Sequence, residues 1–207
     1  SIKEDNQNDS LFSSEYQASA GFSNIIKMRL HKFIGKTIKE LAIELDFHNP
    51  NNDKSYRRSL VIRMLGGKTK QLKELVEADI ELKVITVRDK FKPKEDMSFP
   101  YFSYFEISEQ EWEDSEFFKV LERKFLFAVF EEKDDGEMIF RGANFWNMPY
   151  EDKLEAQNVW EKTKNQIIAG HAEDLPKKSD SRIAHVIPHE KNASDTLDTP
   201  QGIQLVK

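Results

Sequence analysis

The chain has 207 residues, of which 37 are Asp or Glu and 31 are Lys or Arg, so its formal net charge is −6. It contains no cysteine, which excludes disulfide bonds and thiolate metal sites. A hydrophobic content of 38% with fifteen phenylalanines predicts a folded protein. No apolar run approaches the length of a membrane span and no signal peptide is visible, so we expect a cytoplasmic protein without a membrane partner.

The first 20 residues are rich in Ser, Asn, Asp and Glu, and this composition predicts a flexible segment. We expect residues 21–207 to form a single domain. The chain begins with Ser-Ile-Lys rather than Met, and its last residues form an apolar pattern that looks interrupted. We therefore expect it to be a piece of a longer protein.

Helix signals lie on both sides of the middle of the chain. The tetrad at 37–40 has the pattern of a capping box, which predicts the first firm helix after Thr37. A second helix is predicted over 55–65, with its apolar residues buried, its arginines projecting away from the core and a glycine pair at its end. The longest helix is predicted over 149–170, with these inner positions: Leu154, Val159, Trp160, Ile167 and Ile168.

Strand signals fill the middle of the chain and return near its end. The segment 124–130 is almost continuously apolar, which predicts a strand buried on both faces. The complete set of predicted strands is 80–87, an aromatic segment at 99–107, 124–130, 138–145 after a turn at 134–136, and 183–187. Helices before and after mostly hairpin-connected strands predict an α+β or mixed α/β fold.

Glu81 and Lys83 lie two residues apart in the first predicted strand, so their side chains should share one face while the apolar residues beside them fill a core. Metal-dependent phosphodiester cleavage needs a carboxylate that holds a divalent cation and an ammonium beside it. Glu74 lies seven residues upstream and is the candidate second acid. A lone Glu-x-Lys is also typical of a surface ion pair, so the pattern needs further context.

Residues 54–73 carry seven basic residues and no acid, although the whole chain is acidic. This segment predicts a phosphate-binding surface, with backbone N–H groups of the glycine pair at 66–67 available to a phosphate. A solvated helix face is the alternative, but such a face normally carries both signs of charge.

Two further groups have competing interpretations. His185 and His189 are four apart, but the proline between them argues against a shared zinc-binding helix face, and contact with DNA is the better interpretation. Tyr101, Phe102 and Tyr104 could stack on bases, although aromatic residues in a strand usually belong to a core.

Taken in order, these features resemble the MutH family, which comprises a mismatch-repair nicking endonuclease and related type II restriction endonucleases that recognise GATC. The likeness covers residues 24–207 and is strongest at 80–83, 112–115, 123–129, 135–136, 148–149 and 185–189. It implies a restriction-endonuclease-like PD-(D/E)xK fold, in which helices flank a central mixed sheet.

The family motif is Asp, six residues, Glu-x-Lys, which would map onto Glu74, Glu81 and Lys83. The resemblance implies Mg²⁺ as cofactor, Glu74 and Glu81 as its ligands, and Lys83 as a catalytic residue. Four features depart from the family. The first acid is Glu, and the helix over 55–65 supplies no acid. A lysine of the next core strand falls near Arg123 or Lys124, shifted by a residue or two, and an Arg-Pro-Lys-like DNA contact becomes Ile187-Pro188-His189.

These departures resemble the second MutH-like copy of tandem GATC-cutting enzymes, which binds DNA and supports the cutting copy. The resemblance therefore implies sequence-specific binding of double-stranded DNA, with an amino-terminal catalytic MutH-like domain of the same protein as a partner. The alternative is a magnesium-dependent endonuclease that cuts at GATC with its own Glu/Glu/Lys site. The predicted DNA-binding residues are Arg57, Arg58, Arg63, Lys68, Lys70, Arg123, Lys124, Arg182 and His189.

Overall fold

The computed structural model describes residues 21–68, 72–99, 101–187 and 196–205. They separate into two compact units. Unit 1 holds the described residues up to Met97 together with Arg123–Trp146, and unit 2 holds Ser98–Glu122 and the described residues from Asn147 onward. The expectation for residues 1–20 lies outside the described residues, and the single domain over 21–207 stays a prediction.

A four-stranded mixed sheet organises unit 1. Its strands are β1 (Ile80–Arg88), β2 (Lys92–Pro93), β3 (Lys124–Glu132) and β4 (Met138–Trp146), in the order β2-β1-β3-β4. β1 and β3 run parallel, whereas β2 and β4 pair antiparallel with their neighbours. Helices accompany the sheet, which confirms the predicted mixed α/β fold.

Four helices of unit 1 are described: α1 (Phe22–His31), α2 (Ile38–Glu44), α3 (Lys54–Met64) and α4 (Lys73–Glu77). The predicted capping box begins α2, because the Thr37 hydroxyl accepts from the backbone N–H of Glu40 at 3.2 Å and Glu40 accepts from the Thr37 N–H at 2.8 Å. The prediction that the first firm helix follows Thr37 is wrong. α1 precedes it and is held by apolar residues that enter the core, Ile25, Ile26 and Leu30.

The core of unit 1 lies between α3 and one face of the sheet. Strand alternation gives this face the even-numbered residues of β1 and β3, Ile80, Leu82, Val84, Leu126, Ala128 and Phe130. The opposite face of β1 therefore receives Glu81 and Lys83. β3 alternates in the same way, but its opposite face has Phe125 fully buried and Phe127 and Val129 half-buried, so the prediction that it is buried on both faces holds fully only at Phe125.

Arg57 on α3 is only 4% exposed, so the prediction that the arginines of this helix project away from the core is wrong for this residue. Its Nη1 donates to the Thr86 hydroxyl at 2.8 Å, and its guanidinium lies over the Phe130 ring at 5.6 Å. Burial lowers the pKa of Arg57 from its ordinary value. This side chain supports the packing of α3 on the sheet and is not available to a phosphate.

Unit 2 is mainly helical. It contains α5 (Tyr104–Glu109), α6 (Glu116–Glu122), α7 (Tyr150–Ile168) and a hairpin of β5 (Thr196–Thr199) and β6 (Gly202–Leu205). Trp112 lies at its centre, with ring centroids 5.9 Å from Phe117, 5.4 Å from Phe118 and 5.7 Å from Trp160. This aromatic cluster is part of the hydrophobic core of the unit.

Three predictions in this unit are wrong. The aromatic segment at 99–107 is not a strand, because Ser103 and Glu106 form a capping box that begins α5. Residues 183–187 form no strand, and the Val186 N–H instead donates to the Pro176 carbonyl at 2.9 Å. Two predicted inner positions of α7, Leu154 and Ile168, are 43% and 42% exposed.

No helix among the described residues combines the length and the apolar composition that a membrane crossing requires.

An ion-pair cluster at the far end of β1 predicts a dependence of stability on acid pH. Glu132 accepts from Arg88 Nε at 2.7 Å and from Lys94 Nζ at 2.9 Å, and these partners lower the pKa of its carboxyl to about 2. Because the pKa is lowered in the folded state, the stabilisation is complete above the ordinary value of 4.5 and is lost as the pH falls towards 2.

We expect Glu132→Gln to lower the free energy of unfolding at neutral pH. The free energy of unfolding should also fall less steeply in this variant as the pH is lowered from 4.5 to about 2. Urea titrations across this pH range measure both effects, with the exposed Glu137→Gln as control. Equal pH slopes for Glu132→Gln and the parent chain would contradict the assignment.

Candidate functional site

The Glu-x-Lys pair lies on the face of β1 that points away from the core, as the alternation predicted. Lys83 Nζ is 3.5 Å from Glu81 Oε1, and both side chains are 30% exposed. The pair is therefore accessible at its tip, and β3 is paired with this part of β1 on one side.

A second cation reaches Glu81 from the neighbouring strand. Parallel pairing of Ile80 with Lys124 brings together the residues that precede the two strands, Asp79 and Arg123. Arg123 Nε is 3.4 Å from Asp79 Oδ1, and Arg123 Nη1 is 3.5 Å from Glu81 Oε2. Each oxygen of the Glu81 carboxylate thus faces a different cation.

A pocket of about 210 Å³ opens beside this cluster. Its charged lining consists of Arg58, Asp79, Glu81 and Arg123, and its apolar lining includes Ile62 and Leu75. Arg58 on α3 donates from Nη1 to the Leu82 carbonyl, which fixes its guanidinium against β1. Three cationic side chains, those of Arg58, Lys83 and Arg123, therefore gather around the carboxylates at the start of β1.

The donor set does not fit a magnesium ion at this position. Mg²⁺ needs oxygen ligands in near-octahedral geometry, whereas both oxygens of Glu81 face cations here. Glu74, the predicted second ligand, is 8% exposed on α4 and is not among the described residues that line the pocket. Across the described ranges, no three His, Cys, Asp or Glu side chains form a group that could hold a metal.

The remaining predicted DNA-binding residues of unit 1 have other surroundings. Arg63 lies over the Phe47 ring at 4.5 Å. Lys124 points to the core face of the sheet, where its Nζ is 3.5 Å from the Ser23 hydroxyl and 4.6 Å from the Phe145 ring centre. Arg123, and not Lys124, is therefore the basic residue of the next strand at the Glu81 site. Lys68 is exposed just after α3.

In unit 2, Arg182 is held by two acids. Its Nη2 is 2.6 Å from Asp152 Oδ1 and its Nε is 3.2 Å from Glu155 Oε2. The Asp152 hydrogen bond and charge raise the pKa of Arg182. Lys70 and His189 lie outside the described residues, and His185 is half-buried.

Asp79 is the residue that sequence reasoning missed. It has a left-handed backbone with φ 48° between α4 and β1, where aspartate is among the side chains that tolerate this conformation. No local pattern marks it as part of a site, because its partner Arg123 is placed by the pairing of β1 with β3.

Comparisons with known proteins agree with this geometry. A family model described as the DNA mismatch repair enzyme MutH matches residues 66–157, the segment that carries Asp79, Glu81, Lys83 and Arg123. The type II restriction enzyme Sau3AI of Staphylococcus aureus is 30% identical over 199 residues, which span 82% of this chain and 41% of that enzyme. The chain thus spans less than half the length of this relative. With the Glu-x-Lys strand in a central mixed sheet, these two matches show a MutH-like segment over residues 66–157 and a similarity of the chain to a type II restriction enzyme.

Proposed function

We propose that this chain is a MutH-like domain that binds double-stranded DNA, with GATC as its site, within a type II restriction endonuclease. The observation that carries the proposal is the pocket at the start of β1, which Arg58 and Arg123 line and beside which Lys83 contacts Glu81 at 3.5 Å. Guanidinium and ammonium groups are the usual partners of DNA phosphates. The exposed Lys68 extends this positive surface beyond the end of α3.

The proposed role within the longer protein is that of a binding copy. Support comes from the environment of Glu81. Its carboxylate contacts two cationic side chains, whereas a metal site would place further acidic ligands beside it. An amino-terminal catalytic MutH-like domain of the same protein is the proposed partner. The parent protein would then cleave DNA with that domain while this one holds a second GATC site.

Binding should depend on both sequence and salt. Because phosphate contacts supply much of the affinity, it should fall steeply as salt is added, despite the net charge of −6. Base contacts should make a GATC duplex a better competitor than a scrambled duplex of equal length. Gel shifts at two salt concentrations with both competitors measure these effects. Equal competition by the two duplexes would contradict the proposed GATC specificity. The absence of a gel shift with any duplex would contradict the proposed DNA binding.

The second candidate function is a magnesium-dependent endonuclease that uses Glu74, Glu81 and Lys83. The retained contact of 3.5 Å between Glu81 and Lys83 favours it, since a carboxylate with an ammonium beside it is what metal-dependent phosphodiester cleavage needs. Mg²⁺ would be a cofactor of this chain only in this alternative. The pairing of Glu81 with Arg123 and the location of Glu74 outside the pocket favour the binding role.

We expect this chain to leave GATC plasmid DNA uncut when magnesium is added, because no described group of acids replaces the missing ligands. Agarose gels of plasmid incubated with the chain measure nicking and linearisation. The control is Lys83→Ala, which should behave like the parent chain. Robust cutting that Lys83→Ala abolishes would establish the enzyme function instead.

A further inference from the structure

We propose that Arg123 acts as a built-in cation at Glu81, so that this site takes a DNA phosphate without a divalent metal. The inference rests on the proposed DNA binding for its ligand, but its geometric basis is independent of any DNA. It concerns the contacts of Arg123 with the carboxylates of Asp79 and Glu81, and the open pocket that all three residues line.

The position of Arg123 is determined by the backbone. Parallel pairing continues from Ile80–Lys124 to Val87–Glu131 without a shift, so the start of β3 has a fixed register against the start of β1. The guanidinium then meets Asp79 through Nε and Glu81 through Nη1. A side chain that joins two carboxylates from one neighbouring strand occupies the space that a bridging cation would need.

The charges around Glu81 oppose the binding of a divalent cation at this point. Glu81 carries one negative charge and faces both Arg123 and Lys83 at 3.5 Å. Arg58 adds a third positive charge to the same pocket. A divalent ion would therefore meet three like charges and two carboxylates that are already engaged, whereas a phosphate would meet favourable charge.

The Arg123 guanidinium has further N–H groups that can donate to an anion. Arginine presents five N–H donors in a planar fork, and the contacts with Asp79 and Glu81 engage only Nε and Nη1. Its side chain is 38% exposed, so solvent and DNA can reach it. A phosphate oxygen in the pocket could accept from Arg123 and Arg58 while Glu81 keeps both guanidinium and ammonium in place.

Manganese binding tests the inference without DNA. Mn²⁺ titrations followed by electron paramagnetic resonance should show no site on the parent chain that depends on Glu81. Arg123→Gln should gain such a site, and Arg123→Gln with Glu81→Gln should lose it again. The control is Arg88→Gln, which removes an arginine–carboxylate pair elsewhere in unit 1 and should gain nothing. Thermal melting establishes that each variant is folded.

Two results would overturn the inference. The first is Mn²⁺ binding by the parent chain that Glu81→Gln abolishes. The second is a folded Arg123→Gln variant that gains no Mn²⁺ site, because Arg123 would then not be the group that keeps the metal out.

DNA affinity supplies a second test. At matched ionic strength, affinity of the parent chain for a GATC duplex should differ by less than about twofold between EDTA and Mn²⁺, whereas Arg123→Gln should bind roughly tenfold more tightly in Mn²⁺. Parent binding that requires Mn²⁺ would refute this inference and leave the proposed function standing. No binding under any condition would refute the proposed function, while the Mn²⁺ titrations would still report on Arg123.

Discussion

Replacing Arg58 by Glu should weaken duplex-DNA binding roughly 10- to 100-fold at low salt, the range expected for losing a charged hydrogen bond and adding a repulsive charge. Arg58 lines the pocket beside Glu81 and is fixed by its hydrogen bond to the Leu82 carbonyl. The loss should affect GATC and scrambled duplexes alike, because a phosphate contact carries no sequence information. Fluorescence anisotropy with both duplexes measures it.

Two variants frame this result. Lys39→Glu makes the same change of charge on an exposed residue of α2 and should leave affinity nearly unchanged. Arg57→Gln alters the neighbouring arginine, which is buried, and should lower the melting temperature more than the affinity. If Arg58→Glu melts like the parent chain and still binds DNA with parental affinity, the pocket is not the phosphate site.

Trp112→Ala should have the largest effect on stability, lowering the free energy of unfolding by about 3–5 kcal/mol, the usual cost of truncating a buried aromatic residue to alanine. Trp112 is 6% exposed and contacts three other rings of unit 2. Removing it leaves a cavity and breaks the edge-on and tilted ring contacts. Urea unfolding followed by far-UV circular dichroism measures the change.

The matched control is Tyr150→Ala, which removes an aromatic side chain that is 69% exposed at the start of α7. We expect a change within about 0.5 kcal/mol for this surface position. Similar losses for the two variants would show that the aromatic cluster around Trp112 does not hold unit 2 together.

Local signals were sufficient for much of the fold. The capping box at Thr37 and the alternation of Glu81 and Lys83 both act within a few residues, and each is found where the sequence placed it. The turn at 134–136 likewise joins β3 to β4. Such features are readable because their physical causes lie inside a short window.

The location of Arg57 was predicted wrongly, although the spacing of its neighbours in the sequence indicates that it is buried. It lies three and four residues before Leu60 and Val61, so it belongs to the stripe of α3 that enters the core. Its charge suggested a surface position, but a hydroxyl from Thr86 and the face of the Phe130 ring accommodate the guanidinium inside. The periodicity was a better guide here than the residue type.

The candidate site could not be assembled from the sequence, because its members come from separated segments. Arg58 comes from α3, Asp79 and Glu81 from the start of β1, and Arg123 from the start of β3. Only the parallel register joins the last three, and spacing in the sequence does not encode that register. A motif search therefore finds Glu81 and Lys83 but neither Asp79 nor the pairing that occupies Glu81.

The order of strands along the chain has a consequence for biosynthesis. β1 receives its parallel partner β3 only after the ribosome has made Ser98–Glu122, which belong to the other unit. A nascent chain that has reached only Met97 would therefore present one side of β1 with its backbone N–H and C=O groups unpaired, the kind of edge that associates with other chains. Chaperone protection during this interval would matter more for this protein than for one whose sheet is built from consecutive hairpins.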